Sequence, residues 1–366
     1  MARRRSRKRT GKLPFYPVLV LLLIGFGGYL GCDADSLQPP LESMVNDSGA
    51  GGGSDWSAGG YPASTTSGSS QMAGGPTTQV PQALIGVPER TRDRLLISSF
   101  NIHTFGPSKL GKPWVMERYA DIIRQFDVVA IQEIRNKDQR AVPTLIDLVN
   151  SQGARYAYTI SPRIGREESR GYYEQYAFIY DTERVQTGPE FCYVVNDAAD
   201  LLHREPFVGR FAALGPNGFR FTLINIHTDP DEIDTELDVL ADTYRQVREF
   251  EYPEDDVILL GDFNEEPGKL MKLEQIPFFA SLIVGADTNT RGGRTIDNIM
   301  IDRQSTVEFT GRAGVVSLER AFQITQKEAL SVSDHLPVWA EFAIQEQPVR
   351  AASAVGQPNS GNSFSR

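Results

Sequence analysis

The sequence predicts an α+β fold, because short apolar runs of strand length recur through the middle of the chain and amphipathic stretches of helical period fall between them. Composition limits where that fold lies. It divides the 366 residues into a basic leader, a linker poor in apolar side chains, one long region able to bury a core, and a short tail.

Residues 1–12 carry seven basic side chains, Arg3, Arg4, Arg5, Arg7, Lys8, Arg9 and Lys12, and no acid; Leu13 to Leu30 is almost wholly apolar. A core helix has no need of seven neighbouring cations, so residues 1–32 are expected to be an export signal or anchor. Basic flanks prefer the cytoplasmic face, which places the rest of the chain outside the cytoplasm, in the cell envelope. An apolar stretch of about 18 residues sits at the lower limit for spanning a bilayer, while Leu30-Gly31-Cys32 resembles the end of a bacterial lipoprotein signal, apart from Tyr29. Lipidated Cys32, an uncleaved membrane anchor and simple secretion therefore stay open. Residues 33–90 are rich in Gly, Ser, Thr and Pro and are expected to form a disordered linker; residues 348–366 read as a loose tail. The folded domain is expected over residues 91–347.

Within it the apolar runs Leu95–Phe100, Val128–Ile131, Tyr176–Tyr180, Phe219–Ile226, Val257–Leu260, Ile296–Ile301 and Leu336–Phe342 read as strands. Helical periods cover Trp114–Gln125, Val142–Ser151 and Glu232–Phe250, the last opening after Asp229-Pro230-Asp231 as cap and first turn. Cys32 and Cys192 are the only cysteines, so the core must hold the domain without an internal disulfide framework. Cys192 has no adjoining His or basic residue and is not expected to be a nucleophile. With 37 basic and 47 acidic residues the formal charge is −10, which excludes a domain that coats nucleic acid by bulk positive potential. An enzyme touching a few phosphates is still allowed.

Polar residues cluster directly after the apolar runs, where a rigid scaffold presents functional groups. The segments are Asn101-Ile102-His103, Gln132-Glu133-Ile134-Arg135, Tyr172-Tyr173-Glu174-Gln175, His203-Arg204-Glu205-Pro206, Asn225-Ile226-His227, Gly261-Asp262-Phe263-Asn264, Asp297-Asn298 and Ser333-Asp334-His335. A hard divalent cation wants carboxylate and amide oxygens, and phosphate hydrolysis wants an activated water and a protonated leaving group. Asp, Glu and Asn supply the first, and His paired with a carboxylate supplies the second. Glu133 follows a buried run and needs a cation partner, either a metal or Arg135. Asp262 and Asn264 alternatively make a plain Asx turn, and His103 and His203 either line a groove or are surface polar groups.

In this order the segments SFNIHTFG, AIQEIRN, PRIGREESRGYYEQYAFIY, REP, NIHTDP, ILLGDFN, TIDNIMI and SDHLPV resemble the endonuclease/exonuclease/phosphatase superfamily, and within it DNase I, over Leu95 to Phe342. The resemblance implies a four-layer α/β/β/α sandwich. It implies that Asn101, Glu133 and Asp334 hold Mg2+, with Mn2+ or Ca2+ as alternatives, and that Asp262 and Asn264 face the scissile phosphate or a second metal. Two carboxylate–imidazole pairs, Glu174 with His227 and Asp297 with His335, would act as general acid and base. Arg135, Tyr172 and Arg204 match substrate-contacting residues. His103, Gln175 and Asn298 stand where DNase I has arginine, so duplex affinity and its salt dependence are expected to be lower than in DNase I. The expected function is metal-dependent phosphodiester hydrolysis, most simply an endonuclease on DNA. The alternatives are a lipid headgroup, sugar phosphate or nucleotide as substrate, with Phe278-Phe279 as the one candidate membrane contact, or an inactive surface binding protein. No protein partner is predicted.

Overall fold

The computed structural model describes residues 82–166, 173–251 and 255–348. The leader, Cys32, the linker up to residue 81, Tyr172 and the tail beyond residue 348 lie outside the described residues.

In chain order the first elements are β1 (Leu84–Ile85), β2 (Arg94–Phe105), α1 (Pro107–Leu110), α2 (Pro113–Ile123), β3 (Val128–Ile134), α3 (Ala141–Asn150), β4 (Tyr156–Ile160) and β5 (Gln175–Asp181). Then come β6 (Val185–Gln186), β7 (Cys192–Val194), β8 (Phe207–Ala213), β9 (Arg220–His227), α4 (Ile233–Gln246) and β10 (Val257–Asp262). The chain continues with β11 (Phe279–Ser281), β12 (Asp297–Asp302), β13 (Phe309–Val315), α5 (Leu318–Phe322), α6 (Gln326–Val332) and β14 (Val338–Ala343).

One sheet runs β1-β13-β14-β2-β3-β5-β4 and the other β11-β12-β10-β9-β8-β6, with β7 beside β8. Both are mixed, because β2 pairs parallel with β3 and β9 parallel with β10, while the other neighbours of these strands are antiparallel. Strands buried on both faces need apolar side chains at successive positions, and the pleat sends alternate ones to opposite sides. Leu95 and Ile97 accordingly join the core between the sheets, while Leu96 and Phe100 pack against α2 and its Tyr119. In the second sheet Ile258 and Leu260 face the first, while Val257 and Leu259 meet Leu237, Leu240 and Tyr244 of α4. The result is the expected four-layer α/β/β/α sandwich. A buried polar contact ties the sheets: Gln132 Nε2 of β3 donates to Asn225 Oδ1 of β9 at 2.7 Å.

The anticipated strands and helices are present, with differences that have physical causes. Strands β4, β8 and β13 were not legible as apolar runs; β13, FTGRAGV, is broken by Gly311 and Gly314 and gains its strand conformation from pairing with β14 and β1. Gly314 is required there, because a Cβ would meet the Leu84 carbonyl oxygen at 2.3 Å. The cap expected at Asp229 is absent: α4 starts after Glu232 with no side-chain cap, while Asp229 accepts from its neighbour Asp231 N–H. After Gln246 the helix passes into a π-helical turn, Val247–Glu251.

The folded unit also begins ahead of the expected Thr91. Besides the β1 pairing, Trp339 Nε1 donates to the Gly86 carbonyl at 2.9 Å, and Arg90 binds the buried Asp127 and Asp181 carboxylates at 2.5 and 2.6 Å. These contacts mean that deleting residues 1–90 is expected to cost about 2–4 kcal/mol relative to deleting residues 1–81, since it strips a guanidinium from two buried acids. Comparing the thermal midpoints of the two truncations checks this; equal midpoints would show that the segment adds no stability.

Candidate active site

The functional side chains converge because the parallel pairs end at the same pole at which their antiparallel neighbours begin. Asp262 at the end of β10 lies opposite His227 of β9 and opposite Asp297 of β12 in the ladder, which sets three functional groups side by side on adjacent strands. Asn101 and Glu133 arrive from the tips of β2 and β3. Both strands are irregular there, between Asn101 and Phe105 and between Ile131 and Ile134, and such bulges re-aim side chains. Gly261 is indispensable to the GDFN turn, since its φ is +149° and a Cβ would lie 2.0 Å from the Ile226 carbonyl oxygen.

Two imidazoles face one carboxylate. His227 Nδ1 lies 2.7 Å from Glu174 Oε1, and His335 Nδ1 lies 3.0 Å from Asp297 Oδ2; each Nε2 is 3.5 Å from Asp262 Oδ2. A carboxylate at Nδ1 favours the tautomer with its proton there and leaves Nε2 for proton exchange. Burial works to lower both imidazoles. Glu174 and Asp262 outweigh it at His227, Asp297 and Asp262 outweigh it at His335, and both end raised. Burial likewise works to raise the Glu174 carboxyl, but His227, Arg204 and Arg135 hold it down at about 2.

The acids form a floor beneath the rings. Asn101 Nδ2 donates to Glu133 Oε1 at 3.2 Å and Asp262 Oδ2 at 3.0 Å, while its Oδ1 accepts from His103 N–H. Glu133 Oε2 accepts from the Thr104 N–H and hydroxyl and sits 3.3 Å from Arg135. Glu133, His103, Thr104 and Asn264 all have positive φ, between 49° and 60°, a conformation that costs of the order of 1–3 kcal/mol at a non-glycine residue. The contacts of Thr104 with Glu133 are what hold it. The expected metal residues Asn101, Glu133 and Asp334 stand at this pole. The Asn101 oxygen is turned away to a backbone N–H, and Asp334 is half exposed, paired with His103 Nδ1 at 2.8 Å. Among the described residues the acid and imidazole ligand atoms close enough to share one ion at this pole are those of Asp262, Asp297 and His335, within 4.8 Å. The carboxylates here take their hydrogen bonds from nearby N–H donors. The donor set itself, several carboxylates and an amide, suits a hard divalent cation.

Asp262 forms the Asx turn, its Oδ1 accepting from Asn264 N–H, while its Oδ2 faces the rings. The Asn264 amide donates to the Thr228 carbonyl. Arg204, expected to touch substrate, is 8% exposed, donates to the carbonyls of His227 and Thr228 at 2.8 and 2.7 Å, and lies 3.2 Å from Glu174. With its hydrogen bonds directed inward it positions the Glu174–His227 pair. Arg135 bridges Glu133 and Glu174, each at 3.3 Å, with its side chain 28% exposed. His103 faces Asp334, and His203 Nδ1 lies 3.4 Å from Asp229 Oδ2.

Gln175 and Asn298 are both buried. Asn298 Oδ1 accepts from Leu282, Ile283 and Ile299 N–H groups, so it braces the strand edge and does not replace a phosphate contact. Sequence reasoning missed the supports. Ser333 donates to the Asn101 carbonyl and accepts from His335 N–H, and buried Lys109 donates to the carbonyls of Ser331 and Val332 at the end of α6. Burial pulls the Lys109 amine down to about 8. Ser333 and Thr104 sit inside recognised motifs; Lys109 carries no local signal.

This fold and constellation define a class of hydrolase built on a two-sheet sandwich, and the comparisons agree. Residues 98–335 match the Endonuclease/Exonuclease/phosphatase family. The chain is similar to Deoxyribonuclease-1-like 1 of Cricetulus griseus, 32% identical over 259 residues covering 68% of this chain and 83% of the relative. It is also similar to Deoxyribonuclease gamma of Homo sapiens, 32% identical over 266 residues covering 68% and 85%. Among solved structures, the human Nocturnin catalytic domain with bound sulfate aligns with a TM-score of 0.49 at 14% identity, over 70% of this chain and 96% of that one. The chain belongs to the endonuclease/exonuclease/phosphatase family and is similar to the DNase I group within it.

Proposed function

We propose that the protein is a divalent-cation-dependent endonuclease that hydrolyses DNA phosphodiesters outside the cytoplasm. The observation that carries the chemistry is the mirrored pair of imidazoles, each oriented by its own carboxylate and each presenting Nε2 to one point above Asp262. A phosphate placed there has a ring on either flank. One Nε2 takes the proton of the attacking water and the other delivers a proton to the leaving oxygen. Asn101 holds Asp262 and Glu133 in register beneath the phosphate, and the exposed part of Arg135 reaches its oxygens. A hard cation takes oxygen donors, so Mg2+ would fall to Glu133 and Asp334, leaving the imidazoles free for proton transfer; when bound it supplies Lewis-acid polarisation of the phosphoryl oxygens.

The similarity to deoxyribonucleases favours DNA, and the basic leader favours a location across a membrane from the cytoplasm. A lipid headgroup is the weaker reading because the Phe278-Phe279 pair does not form an apolar hairpin: Phe278 is 62% exposed, but Phe279 is buried against Tyr244. The full chain is expected to nick supercoiled plasmid with Mg2+ and to lose that activity in EDTA, with recovery on Mg2+ or Mn2+ addition. Cleavage of sphingomyelin, inositol phosphates or bis-nitrophenyl phosphate with no action on plasmid would overturn DNA as substrate, and full plasmid cleavage in EDTA would overturn the metal requirement.

A further inference from the structure

The opposite pole of the sandwich gathers a second set of acids. Asp256 precedes β10, Glu308 precedes β13 and Glu346 follows β14, and one carboxylate oxygen from each lies within 4.8 Å of the others. Strand β10 thus carries an acid at each end, and the six residues from Asp256 to Asp262 put the two sites about 20 Å apart at ~3.3 Å per residue.

Proximity of acids alone defines nothing, but two of these are deep in the protein. Asp256 is 1% and Glu308 2% exposed, and each keeps one buried oxygen, Asp256 Oδ1 and Glu308 Oε2, without a hydrogen-bond donor. The buried Thr306 hydroxyl lies beside the Asp256 carboxylate. The remaining contacts of the cluster are spent on fixing its geometry: Glu308 Oε1 accepts from Gln347 N–H, Glu346 Oε2 accepts from Arg220 N–H, and the Asp256 carbonyl accepts from Thr222 N–H. A buried carboxylate oxygen with no donor is costly, and adjacent like charges add to the cost. Burial, Glu308 and Asp255 accordingly raise the Asp256 carboxyl.

We propose that Asp256, Glu308 and Glu346 form a structural divalent-cation site that takes Ca2+, separate from the hydrolytic centre. The donors are all oxygen, as a hard cation requires, and two oxygens bound to one Ca2+ at ~2.4 Å can be at most ~4.8 Å apart. Thr306 Oγ1 is a further neutral oxygen within the cluster. The three acids stem from both sheets, β10 from one and β13 and β14 from the other, so an ion here clips the sandwich together at the end that hydrolysis does not use.

The test is thermal unfolding of the metal-stripped full chain with added CaCl2, alongside Tb3+ luminescence titration for stoichiometry. Wild type and Glu133→Gln, altered only in the active site, are expected to gain about 5–10 °C in midpoint at a hundredfold excess of Ca2+ over its dissociation constant. Glu308→Gln is expected to lose that gain and one Tb3+ equivalent, while in EDTA its midpoint equals or exceeds that of wild type because repulsion is relieved. If Glu308→Gln does not fold, the surface substitution Glu346→Gln gives the same comparison. An unchanged Ca2+ gain in Glu308→Gln or Glu346→Gln, or no gain in wild type, would overturn the site; the second result would mean that the acids share a proton and not a cation.

Discussion

Alanine in place of His335 or of His227 is expected to lower kcat for plasmid cleavage by about a hundred- to ten-thousand-fold, the range for loss of a positioned general acid or base. KM should change little, because neither ring is the main anchor of the substrate. The double substitution should be far less than additive, since proton removal and proton delivery serve one displacement. Glu174→Gln and Asp297→Asn provide the internal control. Each keeps the size of the side chain that orients a ring but removes its charge, so each should lower kcat less than loss of the ring it supports and shift the pH profile. Single-turnover cleavage with both alanine variants at wild-type rates would remove the paired-imidazole mechanism.

The second large effect concerns stability. Arg204→Leu is expected to destabilise the domain by about 3–5 kcal/mol, because it leaves Glu174 deep in the protein with a weaker set of partners and strips two carbonyls of their donors. Cleavage should fall as well, since the Glu174–His227 pair loses its clamp. Arg204→Lys should recover part of the stability but not the paired donation to His227 and Thr228. Chemical denaturation measures the loss, and a variant within about 0.5 kcal/mol of wild type, the usual range for surface substitutions, would contradict the assignment of Arg204 as an interior support.

The same group predicts an acid limit. Glu174 titrates near 2 in the folded protein against an ordinary value of 4.5, so below 4.5 the unfolded chain binds the proton that the folded chain refuses. Its contribution, of order 3 kcal/mol at neutral pH, is complete above pH ~4.5 and drains away as pH falls toward ~2. In Glu174→Gln that part of the acid dependence should vanish. Denaturant midpoints measured from pH 6 to pH 2 with wild type and variant test it, and parallel curves would exclude the contribution.

Much of the fold was legible because periodicity reports burial, and burial is a local property of an element. Val257–Leu260 is apolar at successive positions because β10 is covered on both faces, and that pattern survives in any reading of the chain. Strand β13 was not legible, since its Gly314 makes room for β1 and β14, partners whose identity no local pattern encodes. The sequence by itself determined the layered α+β architecture, the ordered set of polar motifs that places the chain in its family, and the carboxylates and imidazoles available for chemistry.

Only the tertiary structure decided their employment. Glu174 and His227 are 53 residues apart and meet at 2.7 Å, Arg204 donates to the His227 carbonyl, and the Asn101 amide presents its nitrogen to the acids. It also drew Asp256, Glu308 and Glu346 together from three unrelated loops. The physical reason is common to all of these: the role of a polar side chain depends on its solvation and on which charges surround it, and both are set by pairings between strands distant in the chain.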